Sequence, residues 1–241
     1  MYYATRYLSR SDIEEIAKPI IERYKQEYVP QYHLCYRVDA MEIAALLGIK
    51  VQFLSLSQDG AILGQTASVP VWTTVNDSAL GETYFFLDGK TILIEKRLQN
   101  NPHVIGRKNF TIAHELAHLI INNLYPDMYG AQFRIFSDYR RTKQIRPKIS
   151  DWHEWQADAL AAALLLPPDA VEDAMFLFGL GSKLNVLSYK YSQNKYHAFC
   201  DMAEFLQVSK STLAYRMEQL GLLERNYMIR EAQQRRYTNS L

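Results

Sequence analysis

Apolar positions recur at helical spacing near the start of the chain. Between residues 13 and 28, apolar or aromatic side chains occupy every third or fourth position, which predicts a helix with one buried face. Ser11, followed three positions later by a glutamate, has the pattern of a capping box, and Pro30 ends the segment. A second helix is predicted from Asp39, with Gly48 as its stop.

The pattern then changes to short β-rich segments bounded by glycine, aspartate and asparagine. Such segments are typical of strands, and Asp88-Gly89 between two of them predicts a hairpin turn. A small, mostly antiparallel sheet is therefore expected after the two helices. The predicted strands cover residues 49–53, 69–75, 83–87 and 91–95.

The second half of the chain is mainly helical in pattern. We expect helices over 110–124, 152–166 and 169–178, and a wholly helical segment from about residue 182. Residues 125–150 are a basic insertion with poor periodicity, and six Lys or Arg stand against one Asp between 134 and 148. This insertion could be a mobile loop over a cleft, a substrate-binding strip or a solvated loop.

Composition narrows the class of protein. The chain has 241 residues, of which 48% are hydrophobic, and this is enough to bury a sizeable core. Lys and Arg number 27 against 26 Asp and Glu, so the net charge of +1 argues against a wholesale binder of polyanions. Two cysteines, Cys35 and Cys200, cannot form a disulfide framework or a thiolate zinc site, and they are compatible with a reducing compartment.

Neither end of the sequence nor its interior predicts a membrane segment. The N-terminal residues lack the apolar core and the cleavage site of a signal peptide. The longest apolar run, 159–166, is far too short to span a bilayer. We therefore expect a soluble cytoplasmic protein with no membrane partner.

The most specific chemical signal is the sequence His114-Glu115-Leu-Ala-His118. On a helix, residues four apart lie on one face, so both imidazoles can reach the same metal ion. Glu115 is turned by about 100° from His114 and can take a proton from a water beside the metal. This is the H-E-x-x-H arrangement of zinc hydrolases, and we predict Glu115 as the catalytic base and His114 and His118 as metal ligands.

A catalytic zinc site needs a third protein ligand, and the next helix offers candidates. Glu154 and Asp158 are one turn apart, so Glu154 could bind the metal while Asp158 accepts the second N–H of a ligand histidine. His153, Asp151 and Asp158 itself are the alternatives for the third ligand. His153 points about 100° away from Glu154, so at most one of these two faces the metal.

Two stretches together resemble the ImmA/IrrE family of metallo-endopeptidases. They are NFTIAHELAHLI at 109–120 and EWQADALAAALLLP at 154–167. The order of elements upstream of them is also similar to that family. Ala117 stands where the family usually has Gly, and Asp158 stands where it often has Asn.

The resemblance implies an α+β fold of the minimal zincin-like type, with Zn²⁺ as the cofactor. It implies His114, His118 and Glu154 as the metal ligands and Glu115 as the catalytic residue. Members of the family typically act with a helix-turn-helix repressor in bacteria, phages and mobile elements. The resemblance therefore implies a DNA-bound repressor as the protein substrate. We divide the chain into a metallopeptidase domain at 1–180 and a helical segment with its tail at 181–241.

Residues 200–223 have the character of a helix-turn-helix, with the turn at 207–209. Ser209 would cap the second helix, whose outward residues could contact DNA. The same helices could instead orient a protein substrate. The predicted outward residues are Lys210, Ser211, Thr212, Tyr215 and Arg216.

The expected function is that of a zinc endopeptidase that cleaves or inactivates a repressor. One alternative is a DNA-binding transcriptional regulator whose metal site is structural or sensory. Another is a module that sequesters a repressor without cutting it. The glutamate at position 115 favours the peptidase, because a chain that only binds has no chemical use for it.

Overall fold

The computed structural model describes residues 7–30, 33–77, 80–126, 137–140 and 150–227. These residues form two compact units. The first unit takes the described residues up to Pro30 and those from Val38 to Leu165, and the second takes 33–37 and everything described from Leu166 onward. The functional division into 1–180 and 181–241 stays a prediction.

Helices and strands both contribute to the fold, which confirms the mixed α+β class. Among the described residues, no helix combines the length and the apolar character needed to cross a membrane. The helices are α1 (Arg10–Tyr28), α2 (Ala40–Leu46), α3 (Ile105–Leu124), α4 (Ser150–Leu165), α5 (Pro168–Leu177), α6 (Gln193–Phe205) and α7 (Lys210–Gln219). The strands are β1 (Lys50–Leu54), β2 (Ile62–Thr66), β3 (Val71–Asp77), β4 (Gly81–Leu87), β5 (Thr91–Glu95), β6 (Ser137–Arg140), β7 (Leu184–Leu187) and β8 (Leu223–Asn226).

The first two helices form close to where the pattern predicts them. The start of α1 is two residues earlier than expected, because Ser9 and Asp12, not Ser11, form the capping box. Asp39 caps α2 as predicted and accepts a hydrogen bond from the N–H of Met41 at 2.7 Å. Gly48 ends α2 with a φ of +68°, a left-handed conformation that favours glycine.

The sheet of the first unit has the strand order β1-β5-β2-β6. β1 runs parallel to β5, whereas β2 is antiparallel to both β5 and β6, so the expectation of a mostly antiparallel sheet is confirmed. β2 was not predicted, because its five residues hold a central glycine and are largely buried, with no polar alternation to mark them. β6 lies within the basic insertion, and most of that insertion is outside the described residues.

The predicted hairpin at Asp88-Gly89 is wrong. The turn exists, since Asp88 accepts a hydrogen bond from the N–H of Lys90 at 2.9 Å and Gly89 has a φ of +81°. The strands on either side of it do not pair, however: β4 pairs with β3, and β5 pairs with β1 and β2. The turn therefore carries the chain from one sheet to another, and local turn chemistry cannot reveal this.

Helix α3 lies at the centre of the first unit. It packs against α4, α2, β2 and β5, and α1 packs against α4. All but a few residues from Asn109 to Asn122 are buried, including the polar side chains of His114, Glu115 and His118. Placing polar groups in such surroundings is costly unless they have partners, so the next question is what these side chains contact.

The second unit contains two parallel strands as well as helices. The prediction of a wholly helical segment from residue 182 is wrong, because β7 and β8 pair with each other over a long sequence separation. Between α6 and α7 the chain turns as predicted at 207–209, where Gln207 has a φ of +54°. The N–H of Val208 bonds to the carbonyl of Ala203, and Ser209 caps α7 by accepting from the N–H of Thr212.

Arg216 corrects the prediction of an outward-facing DNA contact on α7. Its side chain is only 1% exposed, and its Nε donates a hydrogen bond of 2.9 Å to the carbonyl oxygen of Leu166. The helical period places Arg216 on the inner face with Leu213 and Met217, which are fully buried. Lys210 is exposed, and Thr212 and Tyr215 are half-buried, so DNA contact through these three residues stays a prediction.

We predict that Arg216→Ala lowers the free energy of unfolding by about 2–4 kcal/mol, because it leaves a cavity and deprives the Leu166 carbonyl of its charged donor. Chemical denaturation followed by circular dichroism measures the change. Lys210→Ala on the same helix is the control and should change stability by less than about 0.5 kcal/mol. Equal effects of the two variants would contradict the structural role of Arg216.

Candidate metal centre

Two adjacent helices bring together the residues of the predicted metal site. His114 and His118 are one turn apart on α3, and Glu154 lies in the first part of α4. One ligand atom from each of the three residues lies within 4.8 Å of the others. The extensive packing of α3 against α4 therefore sets the spacing between the two histidines and the carboxylate.

The distances within this cluster match those between ligands of one small metal ion. The Nε2 atoms of His114 and His118 are 3.0 Å apart. Glu154 places Oε2 3.3 Å from the Nε2 of His114 and Oε1 3.5 Å from the Nε2 of His118. Ligands about 2.1 Å from a tetrahedral zinc ion are roughly 3.3 Å apart, and two imidazoles with one carboxylate are a donor set of catalytic zinc sites. The residues therefore fit Zn²⁺.

Asp158 contacts the other nitrogen of His114. Its Oδ1 lies 3.0 Å from Nδ1, one turn along α4 from Glu154. With the proton on Nδ1 donated to this carboxylate, the lone pair of Nε2 is directed at the cluster. Asp158 thus fixes the tautomer and the ring orientation in which His114 can bind a metal.

The electrostatics of the cluster favour positive charge on His114, whereas burial and the charge of His114 lower the pKa of His118. Burial lowers the pKa of His114, but hydrogen bonds to Asp158 and Glu154 outweigh burial and raise it to about 10. Burial also disfavours the charged form of Glu154 and so raises the pKa of its carboxyl. Hydrogen bonds from His114 and His118 outweigh burial and hold this pKa well below its ordinary value. The carboxylates therefore stabilise a cation at this position, whether a proton or a metal ion carries the charge.

Glu115 is buried next to this cluster but is not part of it. Its side chain is fully inaccessible, and its charge acts on His114. It lies against β2, where Gly64 leaves room for it, and close to Thr111, one turn earlier on α3. This is the position expected for a group that acts on a molecule at the metal without binding the metal itself.

Among the described alternatives for the third ligand, neither His153 nor Asp158 belongs to the cluster. His153 is buried and lies outside the cluster, with its ring stacked on that of His118 at a centroid distance of 6.3 Å. Burial and the nearby His118 charge lower the pKa of His153 to about 3, so it is neutral at physiological pH. Asp158 supports His114 instead of joining the cluster. The side chain of Asp151 lies outside the described residues.

Sequence reasoning did not identify Gly64 as a neighbour of the site. A glycine inside a strand can signal that another group approaches the backbone closely. That signal was present in Leu63-Gly64-Gln65, but the strand that carries it was not predicted. Its contact with Glu115 joins residues far apart in the sequence, which no local pattern shows.

We predict that Asp158→Asn weakens zinc binding by about 10- to 100-fold, because a neutral acceptor makes the His114 imidazole less basic. Competition with a fluorescent chelator measures the dissociation constant. Glu172→Gln removes an exposed carboxylate from α5 and should leave zinc binding unchanged. An unchanged dissociation constant in Asp158→Asn would show that Asp158 does not support the metal ligand.

Comparison with known proteins agrees with this geometry. The profile of the peptidase M78 family, described as the IrrE N-terminal-like domain, matches residues 44–218. That range includes β1 to α7 and all of His114, Glu115, His118 and Glu154. No curated protein matches the chain. Since the family profile covers well over half of the sequence, the chain belongs to the IrrE N-terminal-like family of M78 peptidases.

Proposed function

We propose that this protein is a zinc-dependent endopeptidase. Membership of the M78 family supports a metallopeptidase. The observation that carries the proposal is the convergence of His114, His118 and Glu154 beside a fully buried Glu115. A purely structural metal site would have no need for a carboxylate held next to the metal position in this way.

In the proposed mechanism, His114, His118 and Glu154 hold the zinc ion. Bound zinc supplies Lewis-acid polarisation of a peptide carbonyl and lowers the pKa of water to about 7. Asp158 keeps His114 oriented through its hydrogen bond to Nδ1. These three side chains would supply all the protein ligands that a catalytic zinc ion requires.

Glu115 acts as the general base. Its carboxylate takes a proton from the attacking water and then gives that proton to the leaving amine as the peptide bond breaks. Glu115 follows His114 in the sequence, and the helix turns it about 100° around the axis. It therefore does not compete with the two histidines for the metal position. Burial between α3 and β2 restricts the carboxylate to one position.

We predict that Glu115→Gln retains about one zinc per chain and loses at least about 100-fold in kcat, because the amide cannot accept the proton. Cleavage is measured by mass spectrometry of new N-termini in a peptide library made from a digested proteome. Glu82→Gln, an exposed glutamate on β4, is the matched control and should cleave like the wild type. Full activity in Glu115→Gln would rule out this mechanism.

As the substrate, we propose a helix-turn-helix repressor bound to DNA. This proposal is supported by the resemblance to the ImmA/IrrE family, whose members typically act with such repressors. A substrate of this kind requires the enzyme to work in the cytoplasm. The protein would then switch a bacterial, phage or mobile-element circuit by removing its repressor.

We expect the zinc-loaded protein to cleave a small helix-turn-helix repressor encoded beside its own gene. Electrophoresis and intact-mass measurement of the repressor, with and without its operator DNA, detect the cut. A chelator or Glu115→Gln should prevent it, and release of the operator should follow cleavage. Peptide-library cleavage together with an intact repressor would retain the endopeptidase and contradict the proposed substrate.

A further inference from the structure

The strand β2 passes directly over the carboxylate of Glu115. A methyl group built on Gly64 would lie 2.7 Å from Oε1 and 2.9 Å from Cγ of Glu115. It would also lie 2.8 Å from Cγ2 of Thr111. A Cβ atom does not approach non-bonded heavy atoms this closely, so the absence of a side chain at Gly64 makes room for the Glu115 side chain.

We propose that Gly64 is a positioning residue for the proton transfer. Its backbone, which carries no side chain, forms one wall of the pocket that holds the Glu115 carboxylate. The inference rests on the proposed function, because it concerns the base of that same reaction. Gly64 touches neither the metal nor substrate in this account. It acts only by the space it leaves.

Pairing along both edges of β2 resists its displacement by a larger residue. Gly64 pairs with Ile94 of β5 on one side and with Tyr139 of β6 on the other. The register with β6 shifts between Ile62 and Gly64, so a β-bulge or a similar irregularity lies next to the glycine. Bulges are common beside active sites, where they alter the direction of the chain. A clash at Gly64 must therefore be relieved mainly by the side chains of Glu115 and Thr111, of which Glu115 has the closest atom.

Substitution of Gly64 by alanine tests this pocket directly. Gly64 does not have the left-handed φ found at Gly60 or Gly89, so its backbone conformation is open to any residue. The three heavy atoms nearest to a methyl group at this position belong to Glu115 and Thr111, and none of the three belongs to His114, His118 or Glu154. A methyl group at this position should displace the base and leave the metal ligands in place.

The experiment compares Gly64→Ala with the wild type and with Ala67→Val. Ala67 is also buried and follows closely on the chain, but it packs with Leu56 and Leu93. We expect Gly64→Ala to keep about one zinc per chain, to lose about 100-fold in kcat and to change KM by less than about threefold. Ala67→Val adds volume to the core and should lower the melting temperature while retaining kcat.

A double-mutant cycle in the melting temperature provides a readout that does not depend on activity. Gly64→Ala should lower the melting temperature of the wild type. In a Glu115→Ala background, the same substitution should cost at most about half as much, because the vacated space accepts the methyl group. A residue with only a general structural role would lose the same amount in both backgrounds.

The outcomes distinguish the positioning role of Gly64 from the proposed endopeptidase function. Normal kcat in Gly64→Ala, loss of zinc from it or equal losses in the two backgrounds would each overturn the positioning role, while an active wild type would keep the proposed function. If the wild type cleaves no peptide, the proposed function fails and Gly64 positions no base. The double-mutant cycle would then report only whether the added methyl group at position 64 occupies the same space as the Glu115 side chain.

Discussion

The whole arrangement depends on keeping polar side chains fixed inside an apolar pair of helices. His114 and Glu115 are fully buried in α3, where an unpartnered charge would be strongly destabilising. The partners of the two histidines come from α4, which supplies Glu154 to their Nε2 atoms and Asp158 to Nδ1 of His114. The packing of α3 on α4 therefore stabilises the first unit and also brings the possible metal ligands together.

Three carboxylates within this small region have different roles because their surroundings differ. Glu154 faces the Nε2 atoms of His114 and His118, and these contacts keep its carboxylate ionised. Asp158 lies one turn farther along and orients His114. Glu115 is held against the backbone of β2, away from the converging ligands. In the proposed mechanism these surroundings make one carboxylate a ligand, one a support and one a base, which is a recurring way to build acid–base chemistry.

Sequence alone predicted the parts of the site that local spacing controls. The helix with His114 and His118 and the helix with Glu154 are visible in periodicity and motif, since each depends on positions three or four residues apart. The features that depend on distant pairings were missed or wrong. β5 pairs with β1 and not across the turn at Gly89, β2 carries no pattern of its own, and Arg216 is buried by a contact to Leu166. Long-range packing decides all of these.

The proposed metal centre consists of two imidazoles and one carboxylate that together bind a single zinc ion. Zinc K-edge X-ray absorption on the zinc-loaded protein reports these ligands. We expect only nitrogen and oxygen neighbours at about 2.0–2.2 Å, with the outer-shell scattering of two imidazoles. Sulfur at about 2.3 Å would mean that Cys35 or Cys200 binds the metal instead. Sulfur ligation, or scattering from a single imidazole, would contradict a site built from His114, His118 and Glu154.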